Sequence, residues 1–434
     1  MALSTTSASE SMQQKQSAQQ SNKPKQPQHK HDRLITRDMA LVMLATFCFM
    51  SSNMLANPIV AGYAESLGAD GMLMGAVAGS MSFISLFCRP IAGNLSDKTS
   101  KRTLVAVGTV LYFAAGLLYY FANSPTMLIM ARVINGVGFA CCSVCLATWM
   151  SLLLPIRHMG AGMGLYGTMN ALAMAVGPAL GIRAQKYIGY RLTFLSSLIL
   201  AAIMLIATLM VKNSGQPVRK KQTSTTENPS AAVDIDGSAG ATKKHRFSIR
   251  SILEPRVVPL SLTFMMFAIA YFANQSFIMN YIEARHLPVS ADLFFMFYAV
   301  ALLVLRLGLR DLFDSKGFRF WLTVCSLGML AMLTCMTFLF NDWMLLLAAI
   351  FTAIGYGLMS SVTQAQAVVI AGRERSGIAN STYYAGIDLG MSVGPFVGGL
   401  VYGRLSAVWF YPVFMLTMPV AWLIYLLCVR RVSR

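Results

Sequence analysis

Residues 89–102 read RPIAGNLSDKTSKR, and residues 306–319 read RLGLRDLFDSKGFR. A shift of 217 residues lays one on the other: Arg89 falls on Arg306, Asp97 on Asp314 and Arg102 on Arg319. The second copy is degenerate, with Arg310 where the first has Gly93. Outward from these loops the same shift carries Ala56-Asn57 onto Ala273-Asn274. It also carries Val176-Gly177-Pro178 and Gly181 onto Val393-Gly394-Pro395 and Gly398. Four patches agreeing on one offset define an internal duplication. Two parallel repeats of mostly apolar sequence point to a transport architecture with a site between the halves.

The surrounding composition decides what kind of helices these are. Of 434 residues, 56% are hydrophobic and only 12% charged, with mean hydropathy +0.58. A soluble domain carries about 25% charged residues, so a water-soluble enzyme is excluded. The formal net charge is +18, yet no soluble domain exists on which a basic nucleic-acid-binding face could be built. Cations confined to the loops of a polytopic membrane protein account for it. The eight cysteines all lie in apolar runs and read as small hydrophobes.

Runs of about 20 apolar residues can cross a bilayer as helices. Twelve are expected, at 39–61, 71–92, 103–122, 127–151, 160–182, 192–212, 257–280, 291–309, 320–340, 344–370, 377–401 and 408–429. The expected fold is therefore an all-α membrane protein of two pseudo-symmetric six-helix bundles, 38–212 and 257–434. A basic tail (1–37), with no cleavable signal peptide, precedes them. Residues 213–256, rich in Ser, Thr, Asn and Gly, join them as a solvated linker. The distribution of Lys and Arg places both termini in the cytoplasm of a cell or inner membrane. Arg183, Lys186, Arg191, Arg285 and Arg404 fall on the opposite side, and the 183–191 loop with three cations is an exception to the rule.

The loop after the second span, with Gly93, then Asp97 four residues on, then Lys101-Arg102, resembles the signature loop of the major facilitator superfamily. With twelve spans and a half-chain repeat, the resemblance covers nearly all of 38–434. It implies that Arg89, Gly93, Asp97, Lys101 and Arg102, with Arg306, Asp314 and Arg319 in the second copy, form a gate that stabilises one transport state. A glycine such as Gly93 would let two helices approach closely. Arg132, in RVINGVG (132–138), resembles a second motif of the family, in which a membrane-embedded arginine is linked to proton transfer. Asn135 stands where the family often has Gln. Gly164, Ala173, Gly177, Pro178 and Gly181 match the spacing of the motif of its drug–proton antiporters. A similar small-residue face recurs at Gly386, Gly390, Gly394, Pro395 and Gly398. Tight helix packing explains such a face equally well.

Asp388 is the one carboxylate deep inside a span, about 16 Å from its start at 1.5 Å per residue. A carboxyl in oil is costly when charged and tolerated when protonated, which is the property proton coupling needs. Tyr384 lies one turn away on the same face. Asn53, Asn57, Asn135, Asn170, Asn274, Gln275 and Gln364 are polar side chains within spans and candidates for lining a substrate cavity. No metal cluster, catalytic constellation or phosphate-binding loop occurs in the sequence, so no cofactor is expected and the proton gradient is the expected energy source. The function expected is that of a monomeric secondary transporter exporting small hydrophobic or cationic molecules against protons. Its partners would be a small-molecule substrate, protons and the lipid bilayer, with no nucleic acid. An uptake symporter or facilitator is the alternative within transport, and a non-transporting receptor or membrane enzyme the remoter one.

Overall fold

A computed structural model of the chain describes residues 36–154, 159–216, 253–309, 312, 316–372 and 375–432. The described residues are helical almost throughout: α1 Arg37–Ser66, α2 Gly71–Lys98, α3 Lys101–Phe121, α4 Pro125–Leu153, α5 Met159–Met210, α6 Val258–Ala284 and α7 Ala291–Gly308. Then follow α8 Phe318–Thr337, α9 Asp342–Thr352, a π-helical turn Ala353–Leu358, α10 Met359–Ala371, α11 Ser376–Arg404, α12 Phe410–Met415 and α13 Thr417–Val432. Helices satisfy their own backbone groups, which is what an apolar solvent demands. Short polar caps punctuate them. Asp70, Ser124 and Asn341 each accept from the backbone N–H three residues on, at 2.8, 3.3 and 2.9 Å.

Ten stretches among the described residues are long and apolar enough to cross a membrane. The difference of two from the expected twelve has two places of origin: α7, Ala291–Gly308, is not among the ten, and α5 is counted once. The stretch given as α5 is two helices that meet at Gly189, whose φ of 75° only glycine adopts without strain. The expected fifth and sixth spans lie on either side of it, and their junction falls inside the expected 183–191 loop. Arg191 accounts for part of the basic exception there. Its guanidinium donates to Asn123 Oδ1 at 2.9 Å and to the Ala122 carbonyl at 3.4 Å, where α3 ends. Arg285 likewise donates to the Thr337 carbonyl at 2.8 Å, at the end of α8. A cation at a helix C-terminus meets unpaired carbonyls and the negative end of the dipole.

The duplication is visible in the helix starts. Lys101 and Phe318 open α3 and α8, and Pro125 and Asp342 open α4 and α9, each pair 217 residues apart. From Arg37 onward the described chain packs as one unit. Within the first half α1 packs along α5, and within the second α6 packs along α11. The halves meet along two seams, α2 against α11 and α5 against α7, with α1 touching α6 between them. Large apolar side chains such as Phe87, Ile91, Val300, Val304 and Leu427 stay exposed on the outer faces, a surface suited to lipid and not to water. The multi-pass membrane character read from the sequence stands. The tail up to residue 35, most of the linker (217–252) and Asp314 lie outside the described residues.

Candidate functional site

Arg89 and Asp388 meet across the α2–α11 seam. The Arg89 Nη2 donates to Asp388 Oδ1 at 3.0 Å, and its Nε closes a second bond to Oδ2. This fork-to-fork geometry is the strongest arrangement these groups have. The carboxylate side chain is 2% exposed and that of the arginine 19%, so the acid is buried and the arginine partly open. Phe139 of α4 and Tyr384 of α11 stand under the guanidinium, ring centres 5.5 and 5.7 Å away. Sequence reasoning had singled out both ends of this pair, one as a gate residue and one as a proton carrier. It did not connect them, since 299 positions separate them in the chain.

Arg132 does not reach outward to the membrane surface. It is 2% exposed and ties three helices together. Its guanidinium donates to Asn57 Oδ1 of α1 at 3.2 and 3.3 Å, and to the Val77 and Ala78 carbonyls of α2 at 3.2 and 2.5 Å. Helical carbonyls keep a second lone pair that can accept such bonds. All these acceptors are neutral, so the charge is solvated without being cancelled.

The α2–α11 seam closes most tightly at the Gly71 end. A Cβ on Gly75 would sit 2.6 Å from the Pro395 carbonyl oxygen, and those on Gly71 and Gly79 would strike the backbone of Gly403 and Ser392. This glycine ladder, at four-residue spacing, is legible as 71, 75, 79 against 399, 403, yet was not singled out beforehand. Beside it Glu65 accepts from Asn280 Nδ2 and from Tyr402 Oη, the latter at 3.2 Å, joining α1, α6 and α11. Neither Glu65 nor Asn280 had been expected in the site.

At the far end of α2 the described residues show only part of the expected gate. A Cβ on Gly93 would meet nothing within 4 Å, so the close helix approach expected there is absent from this conformation. Lys101 and Arg102 instead hold the chain that leaves α5. Their backbone N–H groups donate to Gly215 and Ser214 carbonyls at 3.2 and 3.4 Å, and the Arg102 guanidinium donates to the Val211 carbonyl. Arg319 is exposed, and the side chains of Asp97 and Gly164 lie outside the described residues.

The small-residue motifs pack each half internally. Gly177 and Gly181 of α5 lie against Ser51, Met54 and Leu55 of α1; Ala173 and Pro178 are buried on the same helix. Gly386, Gly390, Gly394 and Gly398 of α11 lie against α6, beside Ser261, Ala268, Ile269 and Phe277, and Pro395 reaches the seam. Several expected cavity amides are helix fasteners. Asn57 is held by Arg132, Asn274 accepts from Tyr411 Oη at 2.8 Å and Gln364 donates to Asn380, whereas Asn170 donates to the Tyr166 carbonyl of its own helix. Asn53, Gln275 and Asn135 are different: each is buried and keeps amide atoms with no hydrogen-bond partner. Gln275 reaches only Met54 Sδ, at 3.8 Å, across the contact of α1 with α6.

The described chain is a multi-pass helical bundle of two duplicated halves with one buried ion pair between them and a second buried cation inside the first half. The chain belongs to the Major Facilitator Superfamily, whose sequence model matches residues 42–342 and 315–434. It is 22% identical over 380 residues to an uncharacterized MFS-type transporter of Methanocaldococcus jannaschii, covering 86% of this chain and 92% of that one. Part of it, 169 residues, is 32% identical to an SPX domain-containing membrane protein of Arabidopsis thaliana, 38% of this chain and 24% of that protein. Two solved folds superpose on it, each at 12% identity. A POT family transporter in complex with a thioalcohol-conjugated peptide gives a TM-score of 0.71, covering 92% of this chain and 97% of its own. The nucleoside transporter NupG gives 0.68, covering 92% and 100%. The chain is thus an MFS-type transporter.

Proposed function

We propose that the protein is a proton-coupled secondary transporter of the cell membrane, working as a monomer by alternating access of two six-helix bundles with both termini cytoplasmic. Counting α5 as two crossings about Gly189 and α7 as one supplies the twelve spans this reading needs. The Arg89–Asp388 pair carries the proposal. It bridges the halves through a buried acid, so protonating Asp388 removes the attraction that holds α2 to α11 there. With the N-terminus inside, the glycine ladder closes the outer face, and the open space around Gly93 at the other end of α2 supports an inward-facing state. Arg132 acts as a fixed charge that braces the first half.

Export is the direction supported by the antiporter-type spacing at Gly164–Gly181. The buried charge does not favour cationic cargo, because Arg89, Arg132 and Arg306 face one carboxylate, Asp388, inside the spans. The test uses inside-out proteoliposomes with an acid interior and a panel of radiolabelled small molecules. Proton-driven accumulation of a panel member that vanishes in Asp388→Asn, with counterflow retained, supports the assignment. Undiminished proton-driven flux in that variant overturns it. Uptake that needs the opposite gradient supports the symporter alternative.

A further inference from the structure

At the Gly71 end of the α2–α11 seam one acid ties a corner of the first half to two helices of the second. The last turn of α1 is closed by Gly68 in the left-handed conformation, φ 87°. The Ala69 N–H donates to the Ala64 carbonyl at 3.0 Å and the Gly68 N–H to the Glu65 carbonyl at 2.9 Å. Asp70 then caps α2. The α1–α2 corner is thus a fixed turn with Glu65 at its start and Gly71 at its end. Gly71 lies on the backbone of Gly399 and Gly403, while Glu65 accepts from Tyr402 Oη of the same α11 turn and from Asn280 Nδ2 of α6.

The two donors are positioned by the second half itself. The Tyr402 ring packs on Phe277 of α6, centres 5.7 Å apart, and Asn280 is 3% exposed. Both belong to the second half, and both meet a carboxylate of the first. Hydrogen bonds to an ionised acceptor are the strong ones. This tie also has no copy on the other seam. The shift of 217 residues takes Glu65 to Ile282, Asn280 back to Tyr63 and Tyr402 back to Gln185. The Tyr63 hydroxyl is used within its own half, donating to the Tyr119 and Ala122 carbonyls at 3.2 and 3.1 Å. Glu65 therefore joins the halves at a single place, and its two side-chain bonds brace neither half internally.

We propose that Glu65 is the latch of the outer gate. Held by Asn280 and Tyr402, its carboxylate biases the carrier toward the state closed on the outside, and both bonds must open in every outward-facing turn of the cycle. Glu65 is a positioning residue that acts through the seam. The inference rests on the alternating-access reading above and adds to it the side chains that hold the outer gate. Since Glu65 is exposed, the latch shifts the equilibrium by about tenfold and not by several decades.

The reporter is Ser276→Cys, one turn before Asn280 on α6 at a position 4% exposed. Right-side-out vesicles holding the full chain are treated with a membrane-impermeant maleimide, and labelling is counted above that of the chain without the reporter. Adding Glu65→Ala should speed labelling by about fivefold to tenfold. Glu65→Gln should speed it less, since its amide oxygen still accepts a bond. Asn280→Ala should act in the same direction, and the pair Glu65→Ala/Asn280→Ala should fall short of the product of the two singles. Glu283→Gln removes a neighbouring exposed carboxylate on α6 and should leave the rate within about twofold. The melting temperature of Glu65→Ala should stay within about 2 °C of the parent. An unchanged rate in Glu65→Ala, an equal rise in Glu283→Gln, or faster labelling accompanied by lost stability overturns the latch. Flux in proteoliposomes separates the two proposals. Labelling that obeys Glu65 without proton-driven flux in the parent sinks the coupling reading alone, and flux that obeys Asp388 with labelling indifferent to Glu65 sinks the latch alone.

Discussion

The α2–α11 and α5–α7 seams descend from one duplicated unit and now do different work. The first is zipped by Gly71, Gly75 and Gly79 and pinned by Arg89 and Asp388. On the second, the same shift puts Pro288, Asp292 and Met296 where the glycines stand, and Ala171 where the acid stands. Met296 is largely exposed. Backbone proximity needs a run of missing side chains on both helices. Only the first seam has it, so only there do the backbones meet. A duplicated fold sets up two equal positions, and a few side chains decide which of them becomes a clasp.

That contrast breaks most easily at the glycine ladder. Gly75→Leu should destabilise the closed seam by about 3 kcal/mol or more, since its Cβ meets backbone and not a movable side chain. Asp292→Leu, its counterpart on the second seam, should change stability by less than about 1 kcal/mol. Thermal melts of the two variants measure the difference, and equal losses would erase the asymmetry. Next in size, Asp388→Asn should cost about 2–3 kcal/mol, below the usual penalty for breaking a buried pair because Arg89 is partly exposed. The double variant Arg89→Gln/Asp388→Asn should recover most of that loss in the same melts. A double variant no better than Asp388→Asn would mean the pair is not a unit.

Smaller effects sharpen the picture of the first half. Asn57→Ala removes one of three oxygen acceptors of Arg132 and should cost about 1–2 kcal/mol in chemical unfolding. A neutral result would show that the Val77 and Ala78 carbonyls suffice. Gly93→Leu should leave the melting temperature nearly unchanged, because its Cβ projects into open space. It should nonetheless slow transport if the gate assembles in the opposite state. Lost stability together with lost transport would argue against a gate that forms only there.

Much of this was legible in the chain alone. Hydropathy runs located the helices, and the fixed shift between Arg89 and Arg306 exposed the duplication. The junction at Gly189 was legible as well, because Arg183, Lys186 and Arg191 interrupt the apolar run around it. Asp388 stood out as a lone carboxylate in oil, while its partner could not be read, because an arginine near a helix end suits a membrane boundary equally well. Arg132 was ambiguous for the same reason until the carbonyls of Val77 and Ala78 were seen to accept from it.

By itself, then, the amino-acid order determined that this chain is a duplicated bundle of apolar helices carrying a handful of intramembrane charges. Periodicity and composition act locally, within a turn or a span. Only the tertiary structure decided which charges are cancelled and which are merely solvated. That outcome depends on which helices approach across the seam, and approach is set by paired small-residue faces hundreds of positions apart. Arg89 is answered by Asp388, Arg132 by neutral oxygens, and Arg306 by no acceptor among the described residues.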